Sequence, residues 1–424
     1  MERALARIAD PAGEGPRTCL TIYPEAAREA AGAADRRAQD GAALGPLDGV
    51  IVSIKDLFDV AGEPTRAGSK VFAEAPPAAT DAPIVRRLRE AGAVIIGKTN
   101  MSEFAFTGVG ANPHYGTPGN PADRARVPGG SSSGAAVAVA DDMCEIAIGT
   151  DTGGSTRIPA ALCGVVGYKP TKNRIPTEGA FPLSPTFDSI GPIARSVADC
   201  AETDVVLAGE PPWTIDPVSL GGLRLGIPQG MPLEELDATV AGQFETAVVR
   251  LSEAGALVSD AQFPIFDDMA RVNSVATIPT AEAYRIHRQL MAARGAEYDP
   301  FIRSRIEMGS AVSDQDYAGM LSNRNALVSA MDSRLREYDA LVLPTTPIVA
   351  PAMAEISSHD AFKKANRLLL RNTAIANFFD LCAISIPIPG GALPVGLMLF
   401  ARAGKDRRLF EISASVERML QGCA

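Results

Sequence analysis

The sequence predicts an α/β fold, because short apolar runs of strand character alternate with longer stretches of helical periodicity along most of the chain. A hydrophobic content of 46% is enough to fill one large core. No fixed-period repeat and no low-complexity linker interrupts the 424 residues, so one domain is expected.

The elements follow in order. The segment GVIVSIKDLFDV, residues 49–60, opens as an apolar strand and closes on Lys55. Thr80 and Asp81 are plausible caps for the helical IVRRLREAG, which leads into the strand AVIIGK at 93–98. AAVAVA at 135–140 continues from a serine cluster as a helix, and CEIAIG at 144–149 is a strand that runs into a glycine turn. Further on, GLRLGI at 222–227 is a strand. The segment 236–256 is an amphipathic helix with Val240, Phe244, Ala247 and Leu251 on one face, and DALVLPTTP at 339–347 supplies another strand.

Bulk properties exclude several classes. A net charge of -10 offers no positive field for counterion release from phosphates, which argues against nucleic acid and for a small molecule or a protein partner. The six cysteines, Cys19, Cys144, Cys163, Cys200, Cys382 and Cys423, form no C-x-x-C pair and no cluster with histidine. They are expected to be free thiols of a reducing cytoplasm, with no disulfide framework and no metal. The first twenty residues hold no continuous apolar run, and the one near Ala135 is cut by Asp141 and Asp142, so neither export nor a membrane span is expected.

Two glycine and serine clusters stand apart. In the first, Gly129-Gly130-Ser131-Ser132-Ser133-Gly134 precedes the helix, where serines commonly cap and where N–H groups are exposed. A phosphate loop is excluded, since alanine and not lysine follows Gly134. In the second, Gly149-Thr150-Asp151-Thr152-Gly153-Gly154-Ser155-Thr156-Arg157, the glycines allow a tight turn that can aim successive N–H groups at one point. That is the requirement for stabilising an oxyanion.

A serine nucleophile at such a turn needs a base. The three histidines, His114, His287 and His359, lie in loop or polar helical contexts, and Ser155 lacks a G-x-S-x-G elbow, which disfavours a Ser-His-Asp arrangement. A lysine can serve once burial lowers its pKa from about 10.4 toward neutrality. Lys55, at the end of an apolar strand, is the best placed.

Taken together, VSIKD at 52–56, GGSSSG at 129–134 and GTDTGGSTR at 149–157 resemble the amidase signature family in order, spacing and chemistry. The similarity extends through GAVIIGKTNMSEF from Gly92, CGVVGYKP from Cys163, DSIGPIARSVAD from Asp188 and LPVGLML from Leu393, and so covers nearly the whole chain. It implies a mixed central β-sheet covered by helices on both faces, in one domain over 1–424 with a signature core at about 50–200. By resemblance, Ser155 is the nucleophile, Ser131 the bridging serine with a cis peptide before it, and Lys55 the base. The oxyanion donors are the N–H groups of Thr152, Gly153, Gly154 and Ser155, with Ser132 a supporting hydrogen bonder. Asp151 and Arg157 hold the turn, a structural role favoured for Arg157 over clamping a substrate carboxylate.

Met101, Phe104, Tyr115 and Phe181 flank these motifs and are candidate pocket residues. Two departures from the family pattern stand out: Ser133 replaces the commoner glycine, and the chain begins and ends sooner than many members. The resemblance implies an amidase that hydrolyses a small carboxylic amide without metal or organic cofactor, as a monomer or homodimer. The alternatives are a glutaminase-type subunit of a transfer-RNA-dependent amidotransferase, against which the shorter termini count, and a binding protein without activity.

Overall fold

The computed structural model describes residues 1–422 and is organised by the alternation of side chains along its strands. The eleven strands among these residues are β1 (Cys19–Ile22), β2 (Ile51–Lys55), β3 (Val94–Thr99), β4 (Ile146–Thr150), β5 (Val166–Lys169), β6 (Ile190–Ala194), β7 (Arg224–Pro228), β8 (Leu257–Ala261), β9 (Ala340–Pro344), β10 (Cys382–Ile388) and β11 (Val395–Ala401). They form one sheet in the order β1-β3-β2-β4-β6-β5-β10-β11-β9-β7-β8. Parallel pairs join β3, β2 and β4 on one side and β9, β7 and β8 on the other, with antiparallel pairs between.

Because successive strand residues point to opposite faces, each strand feeds two apolar layers. On β11, Val395, Leu397 and Leu399 enter one core cluster while Met398 and Phe400 enter another. On β4, Ile146 and Ile148 face the first cluster and Ala147 faces a third, packed under the helix Ser133–Ala140. Helices therefore cover both faces, and the fold is the single-domain α/β architecture with a large mixed sheet that the sequence implies.

The amphipathic helix runs over Ala238–Glu253 and buries Val240, Phe244, Ala247 and Leu251, the stripe its periodicity predicts. Its N-cap is Asp237, whose side chain accepts from the Thr239 N–H. The expectation for Thr80 and Asp81 is corrected: the helix Pro83–Glu90 starts behind Ala82 with no side-chain cap. Asp81 instead accepts from the Ala61 N–H and lies 3.4 Å from Arg89. Cys144, Cys163, Cys200 and Cys382 are buried and free, and Cys19 is half-buried and free; Cys423 lies outside the described residues. No helix among the described residues is long and apolar enough to cross a membrane.

Candidate active site

Two parallel neighbours, β2 and β4, end side by side, and their carboxyl ends are where ligands collect in open α/β sheets. Lys55 closes β2 and Thr150 closes β4. The Lys55 Nζ lies 2.8 Å from Thr150 Oγ1 and 2.8 Å from Ser131 Oγ. The lysine is fully buried, and no carboxylate lies within ion-pair reach of it among the described residues. Burial pushes its pKa down to about 7, against the upward pull of Asp151 and Asp188.

Ser131 comes from the loop that enters the helix Ser133–Ala140, which packs on β2 and β4. The Gly130–Ser131 peptide is cis. Ser132 is the N-cap of this helix, but its hydroxyl makes no capping bond. It donates instead to the Thr150 carbonyl at 3.3 Å. The Ser133 hydroxyl is buried without a partner.

Ser155 sits in the turn between β4 and the helix Arg157–Cys163. Its carbonyl accepts from the Ser132 N–H at 3.3 Å, so the two serine segments touch, but no hydrogen bond joins the Ser131 and Ser155 hydroxyls among the described residues. The flanking amides of the turn are occupied: Asp151 N–H donates to the Ser189 carbonyl at 2.8 Å and Thr156 N–H to Asp151 Oδ2 at 3.2 Å. Between them, the N–H groups of Thr152, Gly153, Gly154 and Ser155 donate to no acceptor among the described residues. Only glycine fits at 154, where φ is +136° and a Cβ would lie 2.1 Å from Thr373 Oγ1.

Asp151 and Arg157 brace this turn from behind. Arg157 Nε and Nη2 donate to the two Asp151 oxygens at 3.0 and 2.9 Å, and Nη2 also reaches Asn377 Oδ1 at 2.7 Å. Asn377 and Thr156 add further donors to the same carboxylate. Burial alone would raise the Asp151 pKa, but Arg157 above all holds it well below the usual carboxylate range. Both side chains are fully buried.

Ser155, Thr152 and Gly153 open onto a cavity of about 160 Å³ whose other walls are largely apolar, including Phe106, Leu183, Phe187, Met269, Leu370 and Phe378. Arg305 also lines it, donating to the Phe106 carbonyl at 3.0 Å with its guanidinium 4.3 Å over the Phe106 ring. No carboxylate among the described residues pairs with Arg305. Burial lowers its pKa to about 10, which still leaves a cation at neutral pH. A second, more polar cavity of about 280 Å³ shares Ala105, Thr152 and Leu183 with the first and reaches Thr150 and Asp188.

The candidate pocket residues fare differently. Phe181 lines the second cavity. Met101 and Phe104 are core residues, and Tyr115 bonds to the Ser69 carbonyl at 3.3 Å; none of the three lines either cavity. Phe104 is displaced by its left-handed backbone, φ 51°, and packs against His287 and Tyr298, while the next residues, Ala105 and Phe106, form the wall. None of the three histidines lines the Ser155 cavity: His114 bonds to Glu103 at 2.7 Å, His287 sits among aromatic rings and His359 stacks on Phe301. Arg305, Leu370 and Phe378 escaped the sequence reading, since nothing local marks them.

The family model described as Amidase matches residues 2–410. The chain is 36% identical to the 2-amino-5-chloromuconic acid deaminase of Comamonas testosteroni, over 93% of this chain and 86% of the relative. It is 33% identical to a glutamyl-tRNA(Gln) amidotransferase subunit of Chloroflexus aurantiacus, over 96% of this chain and 90% of that relative. A solved crystal structure of an amidase superposes with a TM-score of 0.87 at 34% identity, covering 98% of this chain and 94% of that one. With sequence and fold in agreement over nearly its whole length, this chain belongs to the amidase signature family of carbon–nitrogen hydrolases.

Proposed function

We propose that the chain hydrolyses a small carboxylic amide to an acid and ammonia or an amine, through an acyl-enzyme on Ser155 with Lys55 and Ser131 as its proton relay. The observation that carries this reading is Lys55, a fully buried lysine bonded to two hydroxyls and lowered to about 7, so that its neutral amine is populated near neutrality. Neutral Lys55 takes the Ser131 proton as Ser131 takes that of Ser155, and Ser155 Oγ attacks the amide carbon. The hydroxyl-to-hydroxyl step requires a closer approach of Ser155 to Ser131, the kind of bond that commonly tightens once substrate is bound. The four unpaired N–H groups from Thr152 to Ser155 support the reading by offering donors to the developing oxyanion. The C–N bond breaks as the amine recovers the proton through Ser131. Water then cleaves the acyl ester by the same path, releasing the acid.

Arg305 favours substrates that carry a carboxylate, because a cation without an acidic partner faces a largely apolar cavity that ends at Ser155. The relative named for deaminating 2-amino-5-chloromuconic acid is consistent with an acidic substrate. A second reading, an ammonia-producing component of a transferase complex, is favoured by the likeness to the glutamyl-tRNA(Gln) amidotransferase relative.

The test is ammonia release by the purified chain from a panel of neutral and carboxylate-bearing amides. Turnover without a partner is expected, and its absence on every amide while a partner restores it would favour the second reading. Arg305→Met should raise KM about 10- to 100-fold for the carboxylate-bearing amides, the worth of a charged hydrogen bond, and leave neutral amides unaffected.

A further inference from the structure

The cavity at Ser155 and its more polar neighbour share Thr152 and Leu183, and one side chain ties these two residues together. Asp188 Oδ1 accepts the Thr152 hydroxyl at 2.5 Å, while Oδ2 accepts the N–H groups of Leu183 and Ser184, each at 3.0 Å. One carboxylate thus joins the turn bearing the free N–H groups to the segment that walls the substrate cavity through Leu183 and Phe187. Its neighbour Ser189 grips the same turn, donating through Oγ to the Asp151 carbonyl at 2.7 Å and accepting the Asp151 N–H. At the far side of the wall, Glu282 receives the hydroxyls of Ser184 and Thr186. Lys172 secures the back, donating to the carbonyls of Pro185 and Asp188 at 2.9 and 2.7 Å.

We propose that Asp188 is a positioning residue that sets the aim of the Thr152–Ser155 N–H groups and the shape of the substrate cavity together. The inference rests on the acyl-transfer reading of Ser155. The Asp188 carboxylate makes no hydrogen bond to Ser155 among the described residues and acts through Thr152, whose side chain it fixes, and through the Leu183–Ser184 segment. It also places a negative charge near Lys55. The other charges around these groups are Asp151, already paired with Arg157, Lys169 beyond it, and Lys172 on the Asp188 side. Loss of the Asp188 charge therefore makes the Lys55 ammonium less favourable and moves its titration to lower pH.

The experiment compares Asp188→Ala, Asp188→Asn and Thr152→Val in kcat, KM and the pH midpoint of kcat. An asparagine can accept both wall amides through its oxygen and donate its amide to Thr152 Oγ1, so it preserves the connection without the charge. Asp188→Ala should lose about 100-fold in kcat, as removal of an oxyanion donor does. Thr152→Val keeps the wall bonds and should lose about tenfold in kcat with KM unchanged, the lower end of what a hydrogen bond to a charged group is worth. Asp188→Asn should retain kcat on its alkaline plateau to within about threefold, with the midpoint displaced toward acid.

Wild-type kcat in both Asp188→Ala and Thr152→Val would overturn the inference. So would losses in Asp188→Ala and Asp188→Asn that match each other, follow the loss of folded protein and leave the midpoint unmoved. Ser155→Ala separates the two levels: if it retains turnover, the reading of the site fails, whereas if it is inactive and the Asp188 variants behave as wild type, only this inference fails.

Discussion

Lys55 and the Asp151–Arg157 pair are both ionisable, fully buried and part of the same site, yet they are built on opposite principles. Asp151 is saturated by a two-pronged arginine, an asparagine and a threonine, and its negative charge is locked far below any physiological pH. Among the described residues Lys55 has only hydroxyls as direct partners, and burial lowers its pKa to about 7. A buried charge given a full set of opposite partners becomes part of the frame, while one given neutral partners keeps a movable proton.

The largest effects should come from breaking the movable-proton side. Ser155→Ala and Lys55→Ala are each expected to cost roughly 10⁴-fold or more in turnover, because each removes a chemical step; circular dichroism should be unchanged in Ser155→Ala, whereas Lys55→Ala also empties fully buried side-chain volume. Wild-type turnover in Lys55→Ala would end the lysine reading. Next comes the frame: Arg157→Ala leaves Asp151 buried and unpaired and should cost about 3–5 kcal/mol in denaturant unfolding. A loss below about 1 kcal/mol would show that the pair is not holding the turn.

The smallest effect, and the one that sharpens the contrast most, is in the pH profile. With chemistry rate-limiting, kcat should rise through about pH 7 as Lys55 loses its proton, since depression of a lysine pKa leaves the neutral base present above the depressed value. Asp151, ionised throughout, should contribute no inflection in that range. A flat profile between about pH 6 and 9 would contradict the assignment.

The sequence disclosed these two groups and their segments because each motif is local: an apolar strand ending on Lys55, serines before a helix, and glycines after a strand. The helix Ala238–Glu253 was legible for the same reason, its buried stripe being a matter of periodicity. The substrate cavity was not. Arg305, Leu370 and Phe378 lie far along the chain from Ser155 in ordinary helical sequence, and only tertiary packing brings them to one cavity. Nearness to a motif misled in the other direction, placing Met101 and Phe104 at the pocket when both are core. Asp188 stood in a recognised segment, but its partner Thr152 is 36 residues upstream, and no local pattern records that bond. Lys169, at the end of the segment CGVVGYKP, received no reading of its own from the sequence; it is buried and satisfied by the carbonyls of Pro170 and Leu381.

The position of Lys55 and Thr150 at the ends of adjoining strands governs which parts of the site can move. β2 is bonded on both edges, to β3 and β4, and β4 is bonded to β2 and β6, so neither end can swing without opening a ladder in the interior of the sheet. The chemical groups therefore form a stationary floor. Adjustment to an arriving molecule falls to the coil and helices that roof the cavity, the segment around Leu183 and Phe187 and the helix Pro300–Glu307 with Arg305, which are tied down by side chains and not by sheet hydrogen bonds. In such an arrangement, changes in the roof can reshape the cavity without disturbing the ladder on which Lys55 and Thr150 are mounted.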